Sequence, residues 1–246
     1  MSTSGIDTLL GGRVLHAQRR DGHRSGIEPV LMAACVSARP GERVLEAGAG
    51  SGAGLLCLAA RVAPLQGVGI EQDGELADIA RHNAARNRFG GIEIVTGDIA
   101  DFDDATPFDH AMANPPWYAP QATSSPDPAR AAARQKTDGL IAIWARALAR
   151  HLRHHGTLTM FVNAASVSEC LAAMADAGCG SHAIMPFWPR VGREAKLVVV
   201  QAVRGGRGPS RILPGLALHG DGQSYTAEAE AVLREGAALD LGHPKP

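Results

Sequence analysis

The chain has 246 residues, 45% hydrophobic and 20% charged, which suits one large globular domain or one domain with a small appendage. Its 24 basic and 25 acidic residues leave a formal net charge of −1, so the chain is no polycation and any surface for nucleic acid must be local. No run approaches the roughly 18 apolar residues of a membrane span, and the opening MSTSGIDTLLGG has neither the basic start nor the apolar core of a secretory signal; the expectation is a cytoplasmic protein.

Arg43–Ala47 (RVLEA) reads as a short buried strand, Gly48–Gly54 as a glycine loop, and Leu55–Val62 as an alanine- and leucine-rich helix ending before Pro64. Gln66–Glu71 (QGVGIE) is a second strand, and Glu75–Arg88 has helical spacing with basic residues toward its end, as the helix dipole favours. Ile92–Thr96 and Phe108–Ala113 are the third and fourth strands. Asp138–His154 predicts a long amphipathic helix stopped by Gly156, Thr157–Asn163 a fifth strand, and Ser166–Ala177 a helix capped by Gly178. His182–Phe187 and Lys196–Val203 are two more strands joined by a Pro/Gly/Arg turn.

Strands alternating with helices predict an α/β fold: a seven-stranded, mainly parallel sheet with helices on both faces. No helix separates the final two strands, so the last strand is expected to be antiparallel. Residues 41–204 form this domain, with 205–246 a C-terminal extension packed on it and 1–40 an N-terminal segment. The four cysteines, Cys35, Cys57, Cys170 and Cys179, show no CxxC pairing and read as reduced thiols.

Glu46-Ala47-Gly48-Ala49-Gly50-Ser51-Gly52 joins the first strand to the first sheet helix. Glycines permit positive φ and close backbone approach, and a helix N-terminus offers free N–H groups. Gly48, Gly50 and Ala53 satisfy a relaxed G-x-G-x-x-G/A pattern, so the loop can hold a pyrophosphate. It can equally hold the amino-acid end of S-adenosylmethionine, which has no phosphate. The second strand ends in Glu71, about 20 residues on, where a carboxylate accepts from both ribose hydroxyls. Gly97-Asp98 after the third strand offers an acid to an adenine amino group. Glu46, Gly48, Gly50, Gly52, Glu71 and Asp98 are thus candidate cofactor ligands.

The fourth strand chooses between the two cofactors. It ends on Asn114-Pro115-Pro116-Trp117, at a position where open α/β sheets bind their ligands. Proline lacks an N–H, so the carbonyls become the local hydrogen-bonding groups. The Asn114 side-chain oxygen and the Pro115 carbonyl can both accept from one amino group, and Trp117 offers a flat face for a heteroaromatic ring. Two acceptors and a stacking plate describe a site for a planar exocyclic amine, which a hydride-transfer enzyme does not need. Asn114, Pro115 and Trp117 are the candidate catalytic residues; Asn114 also borders the cofactor.

Here the sequence resembles the class I adenosylmethionine-dependent methyltransferases that carry the (N/D)PP(Y/F/W) motif, and within them it is most similar to bacterial tRNA adenine-N6 methyltransferases of the valine-tRNA type. The resemblance rests on Gly22–Val30 (GHRSGIEPV), Val44–Gly52 (VLEAGAGSG), Gly69–Glu71, Gly97-Asp98 and Asn114–Trp117. It implies a Rossmann-like class I methyltransferase fold, S-adenosylmethionine as cofactor, no metal and an RNA substrate, with tRNA as the leading expectation. It also assigns Arg24 and Gly26, in Arg24-Ser25-Gly26-Ile27-Glu28, to the cofactor side, so that the N-terminal segment completes the site. The same four-residue motif serves rRNA guanine-N2 and protein glutamine methyltransferases, which remain alternatives beside a small-molecule acceptor. From other classes, a nicotinamide oxidoreductase and a non-catalytic RNA-binding protein are retained. The chain departs from the usual pattern at Glu28 and Glu46, where aspartate is commoner, and at Trp117, where Tyr or Phe is.

An RNA substrate requires phosphate contacts. The candidates are Arg13, Arg19, Arg20 and Arg24; Arg130, Arg134 and Lys136 after the NPPW motif; Arg190, Arg193 and Lys196 near the last hairpin; and Arg204, Arg207 and Arg211 beyond it. Arg130 and Arg134 lead, being i,i+4 on a helix directly after the motif; with Pro116 and Tyr118 they are the candidate substrate contacts. His151, His154 and His155 read as a solvated helix end rather than metal ligands, and Trp144 as a core residue beside Leu140, Ile141 and Leu148. Trp188 packs locally or touches substrate. Ser51 has no evident base and is not assigned as a nucleophile.

Overall fold

The computed structural model describes residues 6–19, 25–116 and 139–242. An antiparallel hairpin, β1 (Asp7–Leu9) and β2 (Val14–His16), leads into α1 (Glu28–Cys35). The main run follows: β3 (Arg43–Ala47), α2 (Ala53–Arg61), β4 (Gln66–Glu71), α3 (Gly74–Arg86), β5 (Ile92–Thr96), β6 (Phe108–Ala113), α4 (Leu140–Arg150), β7 (Leu152–Asn163), α5 (Val167–Asp176), β8 (Cys179–Arg190) and β9 (Leu197–Arg204). Two short strands, β10 (Arg211–Ile212) and β11 (Leu216–His219), precede α6 (Ala227–Glu235).

Among the described residues, nine strands form the main sheet in the order β10-β8-β9-β7-β6-β3-β4-β5, with β11 also on β8. Seven of them are the expected strands. β9 is antiparallel to both β7 and β8, as its missing crossover helix requires. The remaining two come from the C-terminal segment and run parallel to β8. β3 pairs in parallel with β4 on one side and β6 on the other, which makes the gap between β3 and β6 the switch point of the sheet.

Both faces of the sheet are covered, so its strands are apolar on both sides. Val44, Met112 and Phe161 face a core shared with α1, α2, α3 and α6. Their neighbours Leu45, Ala111, Ala113, Met160 and Val162 face a second core closed by α4 and α5. All four cysteines are free and buried. No helix among the described residues is long and apolar enough to cross a membrane.

The helix expected to reach His154 stops at Arg150. Leu152 already pairs with Phe108, and the ladder resumes only at His110 and Thr157, so residues 153–156 form a bulge. Gly156 is the tight point of that bulge rather than a helix stop: a Cβ there would lie 2.8 Å from the Asp109 carbonyl oxygen. The three histidines therefore share no helix face. His151 is buried against Phe102, ring centroids 5.2 Å apart, while the His154 and His155 rings meet at a tilt with centroids 3.9 Å apart. Among the described residues no three His, Cys, Asp or Glu side chains are grouped to hold a metal.

Candidate active site

The carboxyl ends of the parallel strands align. Ala47 pairs with Ile70 and with Ala113, and Glu71 pairs with Thr96, so the loops after β3, β4, β5 and β6 emerge on one edge. In the first of these loops Gly48, Gly50 and Gly52 have φ of +65°, +56° and +89°, values that glycine adopts without strain. Several amides of this loop and of the helix it opens are already engaged. Gly50 N–H donates to a Glu71 oxygen at 2.7 Å, Leu55 N–H to Glu46 at 3.0 Å, and Gly52 N–H to the Ala49 carbonyl at 2.8 Å. A pyrophosphate would meet the Glu71 carboxylate on Gly50, where a dinucleotide loop presents a bare N–H group. A ligand offering hydroxyl and amino donors meets the opposite situation, because a carboxylate has about four acceptor positions and Glu71 uses two, on Gly50 and Asp73 N–H.

Glu46 lies beneath this loop rather than in its mouth. It is 3% exposed, and a Cβ on Gly54 would lie 2.2 Å from its oxygen. Burial, with a smaller push from Glu71, raises its carboxyl to about 8. Asp98 accepts from Gln72 Nε2 and from Ala100 N–H, one strand beyond Glu71. Gly26 stands at the start of α1, where a Cβ would strike the Glu28 carboxylate.

The N-terminal hairpin is fastened to the glycine loop by contacts with no local signature in the sequence. Asn83, fully buried on α3, accepts from Ala17 N–H and donates to the Ala17 and Ser51 carbonyls. His16 Nε2 lies 2.9 Å from Ser51 Oγ. Ser51 thus has the histidine neighbour that the sequence did not reveal. Both residues are buried, His16 is held toward its neutral form by desolvation, and its Nδ1 has no partner among the described residues. Arg19, a candidate RNA contact by its charge, pairs with Asp73 and Glu75. Asp73 is the N-cap of α3 and sits two residues after Glu71, so this ion pair closes the same loop; Arg19 draws its carboxyl below the usual range.

At the end of β6, Asn114 is half-buried, Pro115 buried and Pro116 exposed. The Asn114 Oδ1 atom is buried and has no hydrogen-bond partner among the described residues. A buried amide oxygen without a donor is costly, and such an atom beside a ligand loop marks a place where a ligand donor belongs. Trp117, Tyr118, Arg130, Arg134, Lys136, Arg20 and Arg24 lie outside the described residues. Trp144, expected in the core, is half-buried on α4 with its indole edge over the glycine loop: a Cβ on Gly48 would lie 2.4 Å from its Cη2. Trp188 packs locally, donating from Nε1 to the Pro214 carbonyl at 3.0 Å.

Residues 44–135 match the model of the family described as a methyltransferase domain. The tRNA1(Val) (adenine(37)-N6)-methyltransferase of Aeromonas hydrophila is 32% identical over 182 residues, 73% of this chain and 76% of that protein. The enzyme of the same description from Aeromonas salmonicida is 30% identical over 204 residues, 82% of this chain and 84% of its own. Among solved structures, one described as a predicted O-methyltransferase from Agrobacterium tumefaciens superposes with a TM-score of 0.70 at 25% identity, covering 86% of this chain and 98% of that one.

Proposed function

The chain belongs to the class I adenosylmethionine-dependent methyltransferases, and we propose that it methylates an exocyclic amine, N6 of an adenine in tRNA. The observation that carries the amine reading is the buried Asn114 oxygen at the end of β6, without a partner among the described residues and next to the strand that leads into the glycine loop. The adenine and tRNA parts draw support from the names of the relatives.

When bound, adenosylmethionine supplies an electrophilic methyl group on a sulfonium. Toward it, Glu71 offers acceptor positions to the ribose hydroxyls and Asp98 to the adenine amino group, while Gly48, Gly50 and Gly52 let the backbone approach closely. Arg24 and Gly26 are assigned to the same side. Glu46 supports the loop from below through Leu55.

An adenine amino nitrogen is a poor nucleophile because its lone pair is delocalised into the ring. Asn114 Oδ1 and the Pro115 carbonyl each accept one of its N–H bonds, which favours a pyramidal nitrogen with its lone pair turned away from both acceptors. Trp117 stacks the base, and Pro116, Tyr118, Arg130 and Arg134 contact the RNA around it. Catalysis is then mainly positioning, and the surplus proton passes to water. A base within folded RNA must be splayed out to reach this pocket.

The test is nucleoside analysis of tRNA after incubation with labelled adenosylmethionine, for the wild type and Asn114→Ala. N6-methyladenosine is expected from the wild type, and no transfer from the variant with near-normal cofactor affinity by calorimetry. Label in guanine or in protein would overturn the acceptor. Loss of cofactor binding in the variant would overturn the role of Asn114.

A further inference from the structure

The sheet sorts the basic residues by edge. β8 is parallel to β7, since both are antiparallel to β9, so the β8–β9 turn emerges on the same edge as Asn114 and the glycine loop. The other end of β9, with Arg204 and then Arg207, lies on the opposite edge, seven residues or about 23 Å away along the strand. Phe187 of β8 pairs with Leu197, which pairs with Asn163 at the end of β7. β8 continues three residues past that level to Arg190, held there by β11, where His219 pairs with Arg190. The hairpin therefore rises about 10 Å beyond the end of β7 as a wall two to three strands from β6, roughly 10–14 Å across the sheet from the Asn114 strand. Ala164 N–H, just after β7, donates to the Lys196 carbonyl at 2.9 Å and joins the wall to the floor.

The tip of this wall is turned to solvent. Val191 is 87% exposed, and Arg193 and Lys196 are exposed with no side-chain partner among the described residues. Arg190 donates to the Gly220 carbonyl, which fixes its guanidinium on the same rim. Glu194 and Asp221 are the acids of that rim. By contrast Arg19 is ion-paired with Asp73, and Arg13, Arg204 and Arg211 donate to the backbone carbonyls of Glu235, Ala177 and Leu241 respectively.

We propose that the β8–β9 tip, through Arg193 and Lys196, is a docking surface for the phosphate backbone of the RNA strand flanking the target base. This rests on the reading of an RNA substrate. The wall stands at the distance of a few nucleotides from the acceptor corner, and its two cations, exposed and without a partner among the described residues, suit phosphates better than an apolar or cationic partner. The exposed Val191 side chain lies against a sugar or base edge.

The experiment compares wild type, the double variant Arg193→Ala/Lys196→Ala and the control Arg39→Ala, an exposed residue before β3 on the opposite edge, on tRNA, by salt-dependent binding and methyl-transfer kinetics. The double variant should raise KM for RNA by about tenfold or more, with kcat and adenosylmethionine affinity unchanged. It should also lower the slope of log affinity against log salt by about 1.4, the value for two single-strand phosphate contacts. Arg39→Ala should match the wild type. Wild type that methylates tRNA with both variants unchanged refutes the docking surface alone. Wild type that neither binds nor methylates RNA refutes the substrate reading and the surface with it. A double variant that also loses adenosylmethionine affinity assigns the hairpin a structural role and overturns the proposal.

Discussion

Asn83 holds the backbone of Ala17 as a neighbouring strand would, accepting from its N–H and donating to its carbonyl, both at 2.9 Å, and with the second hydrogen of the same amide it reaches the Ser51 carbonyl at 3.0 Å. One side chain thereby joins the N-terminal segment, α3 and the glycine loop.

Removing that amide strands three backbone groups in a dry setting. Asn83→Ala is expected to cost about 2–4 kcal/mol, since each buried polar group left unpaired costs roughly 1–3 kcal/mol. Urea denaturation measures the loss, and hydrogen exchange should show faster exchange in residues 50–52. A cost below about 0.5 kcal/mol, the scale of an ordinary surface substitution, would mean that water replaces the amide without penalty.

Glu71 ties the ribose corner to the glycine loop through Gly50 and Asp73 N–H. Glu71→Ala removes both acceptors and the acid proposed for the ribose. The expected outcome is a loss of adenosylmethionine affinity of about tenfold to a hundredfold, since a hydrogen bond to a charged group contributes roughly 1.5–3 kcal/mol. Isothermal calorimetry decides it, and unchanged affinity would remove Glu71 from the site.

Glu46 makes stability depend on pH. Its carboxyl rises from 4.5 to about 8 on folding. Between those values the unfolded chain releases a proton that the folded chain retains, so rising pH favours unfolding across this window. Glu46→Gln keeps an acceptor for Leu55 and abolishes the titration. The difference in unfolding free energy between wild type and Glu46→Gln should move against the wild type from pH 5 to pH 8, at no more than roughly 1.4 kcal/mol per pH unit. Buried His16 and His110, whose pKa values are lowered, act in the opposite sense as pH falls through 6.5, and they cancel in the comparison. Parallel curves for the two proteins would show that Glu46 ionises in the fold.

The sheet could be read from the chain because its first parallel strands are short, largely apolar runs that close on a glycine or a polar residue, as at Ala47-Gly48, Glu71 and Ala113-Asn114. The acceptor corner was legible for a similar reason: two prolines stop a strand whatever surrounds them. The fastening of the loop was not. His16 and Ser51 are 35 residues apart, Ala17 and Asn83 are 66, and neither pair has a spacing that marks it. Histidines 151, 154 and 155 misled because helical periodicity continues past Arg150, whereas pairing with Phe108 draws Leu152 into the sheet. β8 outruns its expected end at Phe187 because β11, far along the chain, supplies partners for Trp188 and Arg190.

Trp144 packs against the core closed by α4 and α5, and its contact with Gly48 gives it a second role that a coupled pair of substitutions can isolate. Gly48 sits at φ +65°, and a Cβ there would lie 2.4 Å from Trp144 Cη2. Gly48→Ala therefore pays roughly 1–2 kcal/mol for the left-handed backbone and also displaces the indole. Trp144→Ala alone loses packing on α4 and uncovers the loop. In the double variant the new methyl group occupies the space that the ring vacated, so only the backbone cost and the lost packing remain. The double-mutant cycle should give a favourable coupling of about 1 kcal/mol or more in stability, within the range for residues in contact. Adenosylmethionine affinity should follow the same order, lowest in Gly48→Ala and partly restored when Trp144 is also removed. Strictly additive losses would mean that the loop moves away from the indole without cost, and that Trp144 does not set its position.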